Sequence, residues 1–377
     1  MSGKDCQLNS ARTPVEGIEP GQLPVKGWHN LLIYGDNLSV LRRLLQHDDF
    51  RGRVRLVYID PPFATNQDFT YRPERTATVS RPRHGCVAYV DRLRGQAYLD
   101  FLRPRLELLR ELLADDGSIY VHIDCKIGHY IKVLMDEIFG PEHFINDITR
   151  IKCNPKNFAR RAYGNIKDSI LFYSKTDCYI WNDPREPMME EDIERLFPKV
   201  DAQGRRYTTT PLHAPGETAN GATGQSWRGR KPPPGRHWRY PPEELDRLDQ
   251  AGLIEWSASG NPRKMIYADE VRTRGKKRQD VWVFKDPAYP CYPTEKNLDL
   301  LKTIIAASSN PGDIVLDCFV GSGTTLVAAE LLGRRWIGVD NSRTAVRVAR
   351  RRLSQLGKIS PFRVRKADET VFTENPD

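Results

Sequence analysis

The chain of 377 residues is long enough for one large domain or two smaller ones, and its 58 Lys plus Arg against 49 Asp plus Glu leave a formal charge of +9. That balance favours a polyanionic partner, although a basic surface is often only a solvated one. No apolar run approaches bilayer-spanning length, MSGKDCQLNSARTPVEG has no hydrophobic signal core, and the seven scattered cysteines form no C-x-x-C, which argues against a membrane span, a disulfide framework and a zinc site and leads us to expect a cytoplasmic protein.

Residues 1–27 are polar, turn-rich and without periodicity, and are expected to form a flexible leader. NLLIYGD then reads as a strand ending at Asp36, and NLSVLRRLLQ as a helix with Leu38, Leu41, Leu44 and Leu45 on one face. VRLVYI is a second buried strand. YLDFLRPRLELLRELLADDG is amphipathic and is expected to be a helix ending at Gly117, with Pro104 starting or kinking it. SIYVHID is a strand, KIGHYIKVLMDEIFG a helix closed by Gly140, and FINDITRIK and DSILFYSK two further strands. Near the C-terminus, TEKNLDLLKTIIAASSN is predicted helical with Thr294 as N-cap. IVLDCF, TTLVAAELLG, RWIGVD and SRTAVRVARRRLSQLG then supply strand, helix, strand and helix. Strands alternating with helices of this length predict β-α-β units and an α/β sheet covered on both faces.

Residues 201–285 break the pattern. They are dense in Gly and Pro, and from Asp201 to Asp280 hold fifteen Arg plus Lys against ten Asp plus Glu, interleaved with Tyr207, Trp227, Trp238, Tyr240, Trp256 and Tyr267. An inserted module is expected here. The chain accordingly divides into the leader, a first half of the α/β domain over 28–200, the insert over 201–285, a second half over 286–360 and a tail over 361–377.

IVLDCFVGSGTTLVAAELLG sets a glycine-rich turn, Phe319 to Gly323, between strand and helix, where α/β sheets bind cofactors. Gly321 and Gly323 lack the Cβ atoms that would keep a ligand off the backbone. The next strand ends in Asp340, 23 residues beyond Asp317, placed to accept both hydroxyls of a ribose. The loop is neither G-x-G-x-x-G nor G-K-[ST], so neither a dinucleotide pyrophosphate nor a triphosphate is the expected ligand. F-x-G-x-G suits a nucleoside without phosphate, S-adenosylmethionine. On the loop alone, a tight turn with no ligand stays open.

LVYIDPPFATN runs a buried strand straight into Asp60, Pro61, Pro62 and Phe63. The plainer reading is a helix start with Asp60 as N-cap. A chemical reading accounts for more of the residues. A base amino group is a poor nucleophile because its lone pair is delocalised into the ring. Accepting its N–H hydrogens with the Asp60 carboxylate and the Pro61 carbonyl returns electron density to nitrogen. Pro62 fixes the chain, and Phe63 offers a flat face on which an extruded base stacks.

DPPF followed by LDCFVGSGTT resembles the amino-methylating DNA methyltransferases, in the order of their β class: catalytic tetrapeptide, divergent insert, cofactor loop. GDN at 35–37 is similar to the family's element contacting the cofactor adenine, through Asp36. YPTEKNLDLLKTIIAASSNPGD resembles the segment holding the methionine carboxylate, through Thr294 and Lys296. Departures are Cys318 where proline is usual, Val320 where alanine is usual, and Asn297 where proline often follows the lysine.

The resemblance implies a Rossmann-like S-adenosylmethionine-dependent α/β fold with a mostly parallel, seven-stranded sheet, circularly permuted in motif order. In it the strand before Asp60 lies beside the strand before Phe319. It further implies that Asp317, Phe319, Gly321, Gly323, Thr324 and Asp340 bind the cofactor. Asp at the first position of the tetrapeptide is typical of adenine-N6 methylation and Ser of cytosine-N4, and the division is not strict. Duplex DNA is the implied partner, with Arg228, Arg230, Lys231, Arg236 and Arg239 for phosphates or guanine edges and Lys276, Lys277 and Arg278 for phosphates. A homodimer and a separate restriction endonuclease are compatible with it. No metal is expected, and His122 and His129 are read as structural. An inactive nucleic-acid-binding protein with this fold is the contrasting reading.

Overall fold

The computed structural model describes residues 28–62, 67–71, 86–91, 93–155, 159, 161–218 and 220–367. Phe63 and the leader over 1–27 therefore lie outside the described residues. The chain divides into two compact units, one running to Pro184 and resuming at Gln279, the other from Arg185 to Arg278. The second unit begins before the composition break at 201 and ends before 285.

The first unit is built on nine strands: β1 (Asn30–Tyr34), β2 (Val54–Ile59), β3 (Leu113–Ile123), β4 (Phe144–Ile151), β5 (Lys167–Ser174), β6 (Val281–Val283), β7 (Ile314–Asp317), β8 (Arg335–Asp340) and β9 (Phe362–Lys366). Their order across the sheet is β6-β4-β5-β3-β2-β7-β8-β1-β9. β5 alone runs antiparallel to its neighbours β3 and β4, and every other pairing is parallel. The α/β expectation holds, with nine strands where seven were expected. The two extra strands are the edges: β6 lies in what reads as insert, and β9 in what reads as tail.

Helices α1 (Asn37–Leu44), α2 (Gly95–Leu112) and α3 (Gly128–Phe139) cover one face, and α4 (Leu298–Ser308), α5 (Thr324–Leu331) and α6 (Arg343–Ser354) the other. Strand alternation divides the core between them. Val57 and Ile59 pack with α1–α3, while Leu56 and Tyr58 pack on the side of α4–α6. Asp60 follows Tyr58 at the same parity, so the tip of β2 presents it on the α4 side.

Three local expectations are corrected. α2 ends at Leu112, and LADDG joins β3 instead of the helix. Pro104 lies inside α2, which continues past the missing N–H because Tyr98, Leu102, Leu106 and Leu109 anchor it on the sheet. The N-cap of α4 is Asn297, whose Oδ1 accepts the N–H groups of Asp299 and Leu300, and not Thr294. Cys125, Cys153, Cys291 and Cys318 are free thiols; Cys178 is disulfide-bonded, where no bridge was expected.

The unit over 185–278 has its own antiparallel sheet, ordered Ile254–Trp256, Pro262–Tyr267, Arg206–Pro211, Lys199–Val200. A helix over Pro242–Gln250 buries Leu245 and Leu248 with Leu212, Trp227 and Trp238.

Candidate active site

β2 pairs in parallel with β7, Val57 opposite Leu316, so the Asp60 tip and the Phe319–Gly323 turn leave the same end of the sheet side by side. A cavity of about 460 Å³ opens there, a volume suited to a small-molecule ligand. Asp60, Pro61 and Pro62 line it, as do Asp36, Thr294, Lys296, Asp317, Phe319, Gly321, Thr324 and Asp340. Of the expected cofactor residues only Gly323 is missing from the wall.

The two glycines have different jobs. Gly321 lines the cavity at φ +51, a left-handed conformation that a side chain disfavours. Gly323, at φ +81, is held by packing: a Cβ there would stand 2.7 Å from the Ala349 Cβ on α6. Helix-against-helix contact by itself accounts for the missing Cβ at this position. The Thr324 hydroxyl is buried, accepting from Arg352 at 2.8 Å and lying 2.9 Å from the Ser322 hydroxyl.

Asp340 accepts the backbone N–H of Gly321 at 2.8 Å on one oxygen and that of Ser342 at 2.8 Å on the other. Each carboxylate oxygen keeps a further lone pair for a ligand hydroxyl. Burial pushes the Asp340 carboxyl up to about 6 despite these bonds. Asp317 accepts the Phe319 N–H at 2.8 Å and is fully buried. Burial pushes it up to about 7, the Thr325 and Phe319 donors pull it back, and the Asp60 and Asp340 charges add to the rise.

Asp36 caps α1 by accepting the Ser39 N–H and hydroxyl, both at 2.9 Å, and faces the buried Arg105 at 3.3 Å. Arg105 also donates to Asn37 Oδ1 at 2.6 Å, and Asn37 donates to the Cys318 carbonyl at 2.8 Å. GDN is thereby tied to the start of the glycine loop through Asn37, and Asp36 and Asn37 are braced by Arg105, a residue that sequence reasoning missed. RPRLELL reads as an amphipathic surface helix, and nothing local marks one arginine as buried.

Lys296 Nζ lies 2.5 Å from Asp60 Oδ2, and both side chains are largely enclosed. The resemblance assigned Lys296 to the cofactor carboxylate; the structure sets it on the candidate catalytic carboxylate. The other oxygen, Asp60 Oδ1, is buried with no hydrogen-bond partner among the described residues.

Behind the cavity wall, Tyr58 Oη lies 2.8 Å from His122 Nδ1, and His122 Nε2 lies 3.3 Å from Asp168 Oδ2. Lys152 reaches Asp168 at 2.6 Å and Arg150 at 3.6 Å. Burial lowers the His122 imidazole below its usual range, so it is neutral near pH 7. With Nε2–H donated to Asp168, its Nδ1 accepts the Tyr58 hydroxyl. His122 thus orients a residue of the cavity wall.

In the 185–278 unit, Trp227 and Trp256 stack at 5.7 Å with planes 3° apart, and the Arg230 guanidinium lies 5.3 Å from the Trp256 ring. Arg228 pairs with Asp249, and Arg239 donates to the Pro211 carbonyl at 3.0 Å. Arg236 lies 3.2 Å from His213 Nδ1. Lys231 and Lys277 are exposed. Lys276 is held by Asp192 at 2.6 Å and Glu186 at 3.4 Å, and Arg278 by Glu186 at 3.4 Å. Among the described residues, no cluster of His, Cys, Asp and Glu could hold a metal, and no helix is long and apolar enough to cross a membrane.

The type II methyltransferase M.EcaI of Enterobacter cloacae is 44% identical over 331 residues, covering 86% of this chain and 69% of that protein. The type III restriction-modification enzyme StyLTI Mod subunit of Salmonella typhimurium is 28% identical over 341 residues, 81% of this chain and 50% of the subunit. The chain spans about half the length of the Mod subunits it matches. Among solved structures, the M1.HpyAVI–SAM complex aligns with a TM-score of 0.44 at 17% identity, over 86% of this chain and 99% of the other. The family profile described as DNA methylase matches residues 54–351. That span, from the first residue of β2 into α6, takes in the Asp60 tip, the glycine loop and Asp340 together, and by it the chain belongs to the N6/N4 DNA methylase family.

Proposed function

We infer that the chain transfers a methyl group from S-adenosylmethionine to the N6 amino group of an adenine within a defined sequence of duplex DNA. The observation that carries this reading is the pairing of β2 with β7, which gives one cavity both the Asp60-Pro61-Pro62 tip and the acidic glycine loop. The donor set fits the cofactor. Buried Asp317 and Asp340 surround a ligand that carries ammonium and sulfonium cations, and Asp340 has lone pairs left for ribose hydroxyls.

When bound, S-adenosylmethionine supplies an electrophilic methyl group. Asp60 Oδ1, buried and unpartnered, accepts one amino hydrogen of the flipped base, and the Pro61 carbonyl is offered for the other. Both bonds push electron density onto the nitrogen. Once alkylated, that nitrogen is strongly acidic and gives its proton to Asp60 or to solvent, so no histidine base is needed. Most of the acceleration is assigned to positioning in a site that excludes water. Asp at the first position of the tetrapeptide favours adenine.

The unit over 185–278 is proposed to read the DNA sequence. Relatives named as type II methyltransferases and type III Mod subunits support a restriction-modification setting, with a separate endonuclease as partner. A homodimer belongs to the same proposal. The test is sequencing of DNA from a methylation-free host expressing the protein, with detection of modified bases. N6-methyladenine at one short sequence is the expected outcome. N4-methylcytosine would move the reading to the other branch of the family, and unmodified DNA would overturn it.

A further inference from the structure

The contact between Asp60 and Lys296 gives the lysine a task that cofactor binding does not require. This inference rests on the methyltransferase reading above. Strand alternation puts Asp60 on the side of the sheet covered by α4, and Lys296 immediately precedes the α4 cap, Asn297. Lys296 Nζ sits 2.5 Å from Asp60 Oδ2 and 3.3 Å from the Thr294 carbonyl. That carbonyl is aimed by Thr294 at φ +60, a left-handed conformation that a β-branched residue avoids unless its surroundings impose it. The ammonium group is thus held between two acceptors, its side chain only 9% exposed.

Asp60 also acts electrostatically on Asp317 on the neighbouring strand tip, Tyr58 beneath it and the neutral His122 behind. None of them supplies positive charge. Two carboxylates enclosed in one cavity repel one another, and a cation set against one of them offsets that cost. Were Asp60 to take up a proton, it would offer a donor where the amino group needs an acceptor. Lys296 occupies Oδ2 and leaves Oδ1, buried and without a hydrogen-bond partner among the described residues, as the carboxylate oxygen still able to accept.

We propose that Lys296 is a positioning residue for methyl transfer, holding Asp60 anionic and oriented so that Oδ1 accepts the amino hydrogen of the target base, and that this, more than a grip on the cofactor carboxylate, is what the lysine contributes.

The test compares wild type, Lys296→Gln, Lys296→Arg and the double variant Asp60→Asn with Lys296→Gln. Cofactor affinity is read by calorimetry, and single-turnover methyl transfer is followed across pH on duplex DNA carrying the modified site. Lys296→Gln is expected to slow transfer by roughly 100-fold and to move the acid limb of the pH–rate profile upward. Its cofactor dissociation constant should stay within a few-fold of wild type, which also reports a folded site. Lys296→Arg keeps the charge with altered geometry, so it should keep the wild-type acid limb at a reduced rate. The double variant should bind cofactor and transfer no faster than Lys296→Gln.

A large loss of cofactor affinity in Lys296→Gln, with a near-normal rate at saturation, would overturn the proposal in favour of a carboxylate clamp. If Lys296→Gln does not fold, Lys296→Arg decides: a shifted acid limb despite the retained charge refutes the role. Wild-type protein that methylates no DNA sinks the reaction itself and this role with it. An active wild type with an unaffected Lys296→Gln rate sinks the role alone.

Discussion

Burial lifts two carboxyl groups of the cavity out of the usual carboxylate range, Asp317 to about 7 and Asp340 to about 6. Because these values exceed those of the unfolded chain, the folded protein keeps protons there that the unfolded chain releases above about pH 4. Their contribution to stability therefore declines as pH rises from about 4 to 7. A cationic ligand reverses the preference by favouring both carboxylates. Cofactor binding should then release protons, and affinity for S-adenosylmethionine should strengthen from pH 5.5 to 7.5. Calorimetry in two buffers of different ionisation enthalpy measures this directly, and binding heats that do not depend on the buffer would refute it. Substitution separates the roles. Asp340→Ala should weaken cofactor binding, and an unchanged dissociation constant would remove the ribose assignment. Asp60→Ala should abolish transfer with cofactor affinity held within a few-fold; lost cofactor binding would mean that Asp60 has been misplaced.

Among the elements, the row joining β3, β5 and β4 carries buried charge that must be paired. His122, Asp168 and Arg150 are buried, and Lys152 is mostly so. Burial works to raise the Asp168 carboxyl, but the His122 N–H and the Lys152 charge overcome it and hold Asp168 well below the usual range. With His122 neutral, the cations that matter are Lys152 and Arg150. Asp168→Asn would leave Lys152 with only Asp124 at 3.9 Å and Arg150 with Asp286 as its one carboxylate, and should cost about 3 kcal/mol in urea unfolding, the low end for a broken buried pair. The wild-type stabilisation should be full above about pH 4 and fall away as acid protonates Asp168; a variant as stable as wild type at pH 7 would show that the row is dispensable. At the start of α5, Gly323→Ala should lose about 1–3 kcal/mol by crowding Ala349. The long strands and amphipathic helices were legible because burial on one face leaves a period of 2 or 3.6. The edge strands β6 and β9 were not: VWV is three residues long, three of the five residues of FRVRK are cationic, and each pairs on one side only. Asp60, Asp340 and Lys296 were each legible as chemistry-bearing residues. Their pairings were not, since Asp60 with Lys296 and Arg105 with Asn37 join segments far apart in the chain that meet only in the folded sheet.

At the scale of the whole molecule, the charge of +9 is spread unevenly in function as well as in number. Several cations expected to meet DNA are already committed inside the 185–278 unit: Lys276 and Arg278 to Asp192 and Glu186, Arg228 to Asp249. Composition could not reveal this, because a count of Lys and Arg does not say which carboxylates lie beside them. Lys231 is exposed, next to Arg230 in a Gly- and Pro-rich stretch, and is the better candidate for gripping a phosphate. The two kinds of cation should separate in a salt titration of DNA binding. For every phosphate that the protein ceases to neutralise, the slope of log K against log salt should shrink by about 0.9. Lys231→Ala should therefore weaken binding to all duplexes alike and flatten the slope by about that amount. Lys276→Ala should leave the slope unchanged and register instead as at most a small loss of stability, as solvent screening leaves an exposed ion pair little to contribute. Fluorescence anisotropy between 50 and 300 mM salt, with thermal unfolding of the same proteins, measures both. A flattened slope in Lys276→Ala would return that lysine to the DNA interface and mean that its carboxylate partners are exchanged for phosphate when the duplex binds.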